Sequence, residues 1–499
     1  MKREVASLVR GIVLLAGGMI LVMLALALID FREAGYPLFK AAAFDAVSAR
    51  HFNNLFNRNL NQLVAVVFTS VAIAVPLTAN MYSLKFLDFF IKDPINAVVL
   101  IFVVFTDLNN TWWGYSIKDD FVPVFQLHLT LVLVIGCFSL IFPYLYYIFK
   151  FLHPNTLLDR LENEFEADLR EAMRHPAHSS TRRGGVAEGI EHIANITIRS
   201  IDRGDRNTAI ESIFSLERVT RLYWAAKPHL APAWFTADPN AFLGFSSAAV
   251  AELTESHSWV EMKVFDQLRH IMNAAIPRMH EVVSSAAKSL RQLGLDEVPR
   301  QDVALRELVI EYFNTFIRLS LQRKDPRSVF IIFDQYRTYA EAMNLEYPEL
   351  AQEIAYYFAY YGQAAREAQL SFVVEAVAHD FGTLVQRAWE AGAPNRQKLL
   401  DRFLRYDSQA KATLPGVKKA QALLASYFLL AGHAESAALI RANFVGLDPG
   451  YLRLLADDLL HIKREKYWEI NERRINMDYV PDPQREKLRE FLEDLLAAA

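Results

Sequence analysis

The chain has 499 residues, 53% of them hydrophobic, and a formal net charge of −4. A single cysteine excludes an intrachain disulfide framework, a CxxC redox pair and a multi-cysteine zinc site. The near-neutral balance gives no electrostatic case for nucleic acid as a partner. The charge is unevenly spread: residues 1–152 carry 20 ionisable Lys, Arg, Asp and Glu side chains, and residues 153–499 carry 90. This contrast predicts a membrane domain over 1–152 followed by a soluble one.

A hydrocarbon core about 30 Å thick needs about 20 mostly apolar helical residues. Four segments meet that demand: 11–29, 63–82, 95–113 and 125–152. The first could be a cleaved signal peptide, with Ala25 and Ala27 as the small-residue pattern, but its apolar run is long for one and it reads better as an anchor. Ahead of the second span, His51 to Gln62 (HFNNLFNRNLNQ) reads as a polar amphipathic segment at the membrane surface. Trp112, Trp113 and Tyr115 at one span end, and Tyr144, Tyr146 and Tyr147 near another, read as interfacial belts.

Basic flanks set the expected orientation. Lys2, Arg3 and Arg10, then Lys85 and Lys92, then Lys150, Arg160, Arg170 and Arg174 place both termini on the cytoplasmic side. Arg32, Lys40, Arg50 and Arg58 in the first loop run against this assignment.

Polar residues inside spans are where a pathway would lie. Thr69, Ser70, Thr130 and Ser139 are mild hydroxyls that also suit ordinary helix contacts. Asp107 and His128 read as lying near span ends, and no mid-membrane carboxylate is expected. Pro76 and Pro143 are candidate kinks.

Beyond residue 153 the apolar residues recur at helical spacing, as in Leu157, Leu161, Phe165 and Leu169, and strand-like alternation is lacking. Twelve to fifteen helices are expected, with domains over 153–295 and 296–499. His178 to Gly185 reads as an exposed loop. The segment AQALLASYFLLAGHAESAALIRANF (420–444) looks like a tetratricopeptide-type helix pair turning at Gly432, and 327–361 like a more degenerate one. A strict 34-residue period is lacking, so a repeat array and an ordinary helical domain stand level. The acidic run Glu162, Glu164, Glu166 and Asp168 reads as a solvated helix face.

Enzyme motifs are absent: there is no GxxxxGK[ST], GxGxxG after a strand, HExxH or GxSxG. His175 and His178 are separated by Pro176, and Asp457, Asp458 and His461 lack a second ligand set, so neither reads as a metal site. No catalytic residue, cofactor or metal is assigned.

Three segments together carry a family resemblance. They are NQLVAVVFTSVAIAVPLTANMYSLKFLDFFIKDPINAVVLIFVVFT with FVPVFQLHLTLVLVIGCFSLIFPYLYYIFKFLHPNTLLDRL (within 61–161), GIEHIANITIRSIDRGDRNTAI (189–210) and VFDQLRHIMNAAIPRMHEVV (264–283). In this order the chain resembles the bacterial membrane-protein family called domain of unknown function 2254, over about residues 60–295. The resemblance implies four spans and a helical soluble domain, and no activity. Family members usually carry Asn-Asp-Pro after the glycine of the second segment, whereas here Gly204 is followed by Asp205, Arg206 and Asn207. Physically, Arg199, Asp202, Gly204, Asp205, Arg206 and Asn207 form a charged turn between helices, with Gly204 as C-cap and Asn207 or Thr208 as the next N-cap, Glu211 completing a capping box. A structural turn is favoured over a ligand site.

The pattern leaves two functional readings. One is an oligomeric, ion-conducting pore, a homo-oligomer in the lipid bilayer with the soluble domain as gate or sensor. The other is a membrane-anchored scaffold whose C-terminal helices bind a protein partner.

Overall fold

A computed structural model describes residues 45–83, 85–176, 179–297, 301–406, 414–466 and 473–498. The expected first span, Lys2, Arg3, Arg10, Arg32, Lys40 and His178 lie outside the described residues. No strand forms among the described residues, and the chain divides into two units, Met1–Leu161 and Glu162–Ala499.

In the first unit, α1 (Ala46–Met81) joins the short α2 (Lys85–Lys92), followed by α3 (Pro94–Ser116) and α4 (Val124–Phe151). Three of these, α1, α3 and α4, are long and apolar enough to cross a membrane. The segment 51–62 is not a separate surface helix. It lies within the first half of α1, which is capped by Asp45 and continuous with the apolar part. Both α1 and α4 run unbroken through Pro76 and Pro143. Helix α2 buries Phe86 and Phe90 against Phe151 and exposes Leu87 and Ile91. Helix α3 starts with Pro94 behind the N-cap Asp93, whose carboxylate accepts from the Ile95 and Asn96 amides.

The three long helices are arranged with apolar side chains outward. Val66, Ile73 and Leu77 of α1, Val98, Ile101, Phe105 and Leu108 of α3, and Phe142 and Phe149 of α4 are exposed, as lipid contact requires. Of the expected belts, Trp112, Tyr115 and Tyr146 face outward, but Tyr144 and Tyr147 point into the bundle. The Tyr147 hydroxyl donates to the interior carboxylate of Asp93, which outweighs the preference of tyrosine for the membrane surface.

In the remainder, fifteen α-helices are seen among the described residues: α5 (Pro154–Arg174), α6 (Ser179–Arg203), α7 (Arg206–Ala226), α8 (Ser247–Glu255), α9 (Trp259–Ala275), α10 (His280–Glu297), α11 (Val303–Gln322), α12 (Pro326–Glu346), α13 (Pro348–Glu367), α14 (Ser371–Glu390), α15 (Arg396–Leu404), α16 (Pro415–Leu430), α17 (Ala434–Ala442), α18 (Pro449–Leu460) and α19 (Asp482–Ala498). The unit boundary falls at Leu161, inside α5. Residues 179–185 are helical, correcting the expected loop, because Arg182 pairs with Asp168 at 2.7 Å and holds the start of α6 against α5.

From α10 onward the helices stack in series. Helices α10, α12, α14 and α16 each pack on the next, and their first residues lie 46, 45 and 44 residues apart. That spacing belongs to two-helix repeats of about 40–47 residues and not to the 34-residue class. An aromatic spine threads the stack: Phe313 lies 4.7 Å from Tyr336, Phe333 5.1 Å from Phe358, and Phe381 5.2 Å from Phe403. These rings are fully or nearly fully buried, and each Phe contributes about 2–3 kcal/mol on leaving water.

Candidate functional site: a polar stripe inside the membrane unit

Helix α3 turns one face to the interior. Its residues there are Asp93, Asn96, Val99, Val103, Thr106 and Asn110, spaced three or four apart. The stripe is polar at both ends and apolar for one turn between.

At the α3 N-terminal end the charged groups are paired. Tyr147 donates to Asp93 Oδ2 at 2.7 Å, and Arg160 reaches the same oxygen at 3.1 Å while its guanidinium lies 3.9 Å from the Phe151 ring. Asn96 donates to the Phe90 carbonyl at 3.1 Å. The carboxylate therefore caps a helix and holds a cation and a phenol together.

The opposite end is different. Arg50 pairs with Asp119 at 2.8 Å, which places the start of α1 beside the α3–α4 loop. Below that pair lie Asn53 and Asn57 of α1, Asn109, Asn110 and Thr111 of α3, and Thr130 of α4. Thr111 donates to Asn57 at 3.3 Å, and Asn109 to Thr130 at 3.3 Å. Asn53 packs against Gly114, where a Cβ would collide with its amide. Yet Asn53 Oδ1 and both amide atoms of Asn110 are buried and have no hydrogen-bond partner among the described residues. The same holds for Asp107 Oδ1. Asp107 sits nine residues before the end of α3, about 14 Å along the axis, and its neighbours are Thr106 and the buried Cys137 midway along α4. The helix extends past the expected span end to Ser116, so this carboxylate is well inside α3.

Of the other singled-out hydroxyls, Ser139 is buried and donates to its own helix at Ile135, 2.8 Å away. Thr69 faces outward, Ser70 is half-buried and His128 is exposed. The structure thus brings Thr130 of α4 to the interior and leaves Asp107 half-buried beside the α3 stripe, with Thr69 and His128 off it. Sequence reasoning missed Asn53, Asn96, Asn110 and Asp93. The three- and four-residue spacing of 93, 96, 99, 103, 106 and 110 was the available signal.

The charged turn is structural in its contacts. Gly204 has φ +78°, and the Asp205 amide donates to the Ser200 carbonyl at 2.8 Å in a helix-ending pattern. The N-cap of α7 is Asp205, accepting from the Thr208 amide at 3.2 Å, and not Asn207 or Thr208. Asp202 pairs with Arg278, and Arg206 lies 3.8 Å from Glu281, so the second and third family segments meet here. Arg199 is half-buried and Asn207 exposed.

The acidic run on α5 is largely paired rather than solvated. Arg218 grips Glu162 at 2.7 Å, Glu166 pairs with Arg170, and Asp168 with Arg182. His175 lies 3.9 Å from Glu171, while His461 and Asp458 pair with Asp457 and Lys419.

No curated protein matches the chain. A solved structure described as "Circular tandem repeat protein with novel repeat topology and enhanced subunit contact surfaces" is similar at 13% identity, over 91% of this chain and 96% of that one, with a TM-score of 0.34, a likeness too loose to carry an argument. The family match starts earlier than the resemblance read from the motifs and stops at residue 188, before the second and third segments. Over residues 6–188 the chain matches the model of the family described as Predicted membrane protein (DUF2254).

Proposed function

We propose that the membrane unit conducts a small cation, protons included, along the interior stripe of α3, in a bacterial inner membrane with both termini cytoplasmic. The observation that carries this reading is Asp107, an intramembrane carboxylate with a buried, unpartnered oxygen next to the equally unpartnered Asn110. Ionisable groups at such depth are costly, and they mark ion pathways by default. Asn53, Asn57, Asn109, Asn110 and Thr130 supply the oxygens and amides that replace a hydration shell. Val99 and Val103 make a dry turn between Asp107 and Asn96, suited to gating by dewetting. Asp93, Tyr147 and Arg160 then form the cytoplasmic mouth, and the helical unit serves as gate or sensor. A homo-oligomer would carry one path per subunit. The role is conduction and not catalysis.

The test is flux into liposomes holding the purified full chain, read with a pH-sensitive dye and a potassium electrode. Wild type should leak well above protein-free vesicles, and Asp107→Asn should cut that flux at least tenfold. Equal flux from wild type and empty vesicles would sink the proposal.

A second reading is a membrane-anchored scaffold. It draws on an open groove of about 540 Å³ on the repeat stack, where the exposed Tyr356 and Tyr360 lie beside Lys398, Arg402 and Arg405. Exposed tyrosine with arginine favours an acidic protein segment as partner. Loss of a copurifying partner on Tyr356→Ala/Arg402→Ala, with flux intact, would favour it.

A further inference from the structure

We propose that Glu375, His379 and Asp478 form a divalent-metal site that clips residues 473–481 onto α14. Glu375 and His379 are four residues apart on α14, so both side chains rise from one helix face. Asp478 comes from the segment leading into α19. One ligand atom from each of the three lies within 4.8 Å of the other two.

Three features distinguish the cluster from an ordinary ion pair. His379 is 7% exposed. Its Nε2 stands 2.9 Å from Asp478 Oδ1 in an arrangement that is not a regular hydrogen bond, and neither atom has another partner among the described residues. Two ligand atoms about 2.1 Å from one metal, at right angles, lie about 3.0 Å apart, which is the separation seen here. Tetrahedral ligands stand farther apart, so the spacing favours a six-coordinate ion completed by water. One imidazole and two carboxylates suit Mn²⁺, Fe²⁺ or Zn²⁺.

The segment is delivered in register by a second anchor. Arg473 forms a two-pronged bridge to the buried Asp380, at 2.6 and 2.7 Å, donates to the Phe330 carbonyl at 2.7 Å, and covers the Phe330 ring. Asp380 follows His379 directly in α14, so the two anchors are adjacent. Lys419 stands 3.3 Å from Asp478 Oδ2 and 3.3 Å from the exposed Asp458. It occupies the other carboxylate oxygen and leaves Oδ1 facing His379. A metal here would tie α14 of the repeat stack to the chain entering α19, and a clip across so long a stretch of chain removes a large closure entropy from the unfolded state.

The experiment uses the full chain, purified in detergent without a histidine tag and stripped with chelator. Titration with Zn²⁺ and with Mn²⁺ should show one saturable equivalent, and His379→Ala should weaken it by at least about tenfold. Hydrogen exchange of residues 473–481 should slow when Mn²⁺ is added to wild type. Should His379→Ala not fold, Glu375→Gln and the wild-type exchange measurement decide. Absence of a saturable equivalent, binding unchanged in the variants, or unchanged exchange in 473–481 would overturn the site.

Discussion

The two units treat buried charge differently. In the helical unit, buried ions meet opposite charge or a carbonyl. Glu261, fully buried, accepts from Lys227 at 2.7 Å and Trp224 at 3.0 Å, and Asp380 is held by Arg337 and Arg473. Lys418 donates to the Asn443 carbonyl. In the membrane unit, one end follows the same rule at Asp93, while Asn53, Asp107 and Asn110 do not. An unsatisfied buried polar group costs about 1–3 kcal/mol, more when it is charged, so a carboxylate oxygen left without a partner is paying for more than folding. On the conduction proposal, this difference separates residues that hold the molecule together from residues that handle the ion.

Breaking a pair in the helical unit should cost most. Burial raises the Glu261 carboxyl above its usual range even with Lys227 beside it. Lys227→Met would strand that carboxylate, lowering stability by about 3–5 kcal/mol in chemical denaturation. The loss should shrink as pH falls and Glu261 protonates, since a raised folded-state pKa gives stability at low pH that is lost as pH rises through it. A loss under about 1 kcal/mol would mean the pair is not structural.

Asp93→Ala should come next, at about 2–4 kcal/mol, because it removes a helix cap and leaves Arg160 without its carboxylate. Thermal unfolding in detergent reads it directly. Asp107→Asn should do the reverse of both: flux falls at least tenfold while stability shifts by about 1 kcal/mol or less, in either direction. A large stability loss there would erase the contrast between the two units.

Asp266 offers a smaller test. Burial opposes its ionisation, but His270 and Arg269 outweigh that and hold the carboxyl below its usual range. Its contribution is present above the unfolded value, near 4, and is lost as pH falls through the lower folded value. The stability gap between wild type and Asp266→Asn should therefore be about 0.5–1 kcal/mol at pH 7 and close in strong acid. The smallest effect belongs to Thr69→Val. Its outward side chain predicts a change within about 0.5 kcal/mol and unaltered flux. Reduced flux would move the path to a seam between subunits.

Much of the architecture was legible in the chain itself. Composition separated the apolar part from the charged part, and apolar spacing sufficed for an all-helical fold. These are local properties: a run of about 20 apolar residues, or a 3.6-residue stripe, needs no distant partner to be recognised. The pair joined at Gly432 was equally local, since its left-handed turn, at φ +81°, suits glycine. The repeat length was not legible. Its period lies in the packing of α10, α12, α14 and α16, and their sequences share too little to show it.

The sites depended on tertiary structure more heavily still. Tyr147 reads as an interfacial tyrosine until Asp93, 54 residues away, is seen to accept its hydrogen bond. Thr69 and Thr130 look alike in sequence, and only the rotation of their helices turns one to lipid and the other to Asn109. His379 and Asp478 lie 99 residues apart and meet because Arg473 fixes the segment that carries the aspartate. Sequence alone settled which segments are apolar and helical, because hydrophobicity and helical period are short-range. Which polar side chains share an interior was decided by helix rotation and chain return, which depend on the packing of the whole fold.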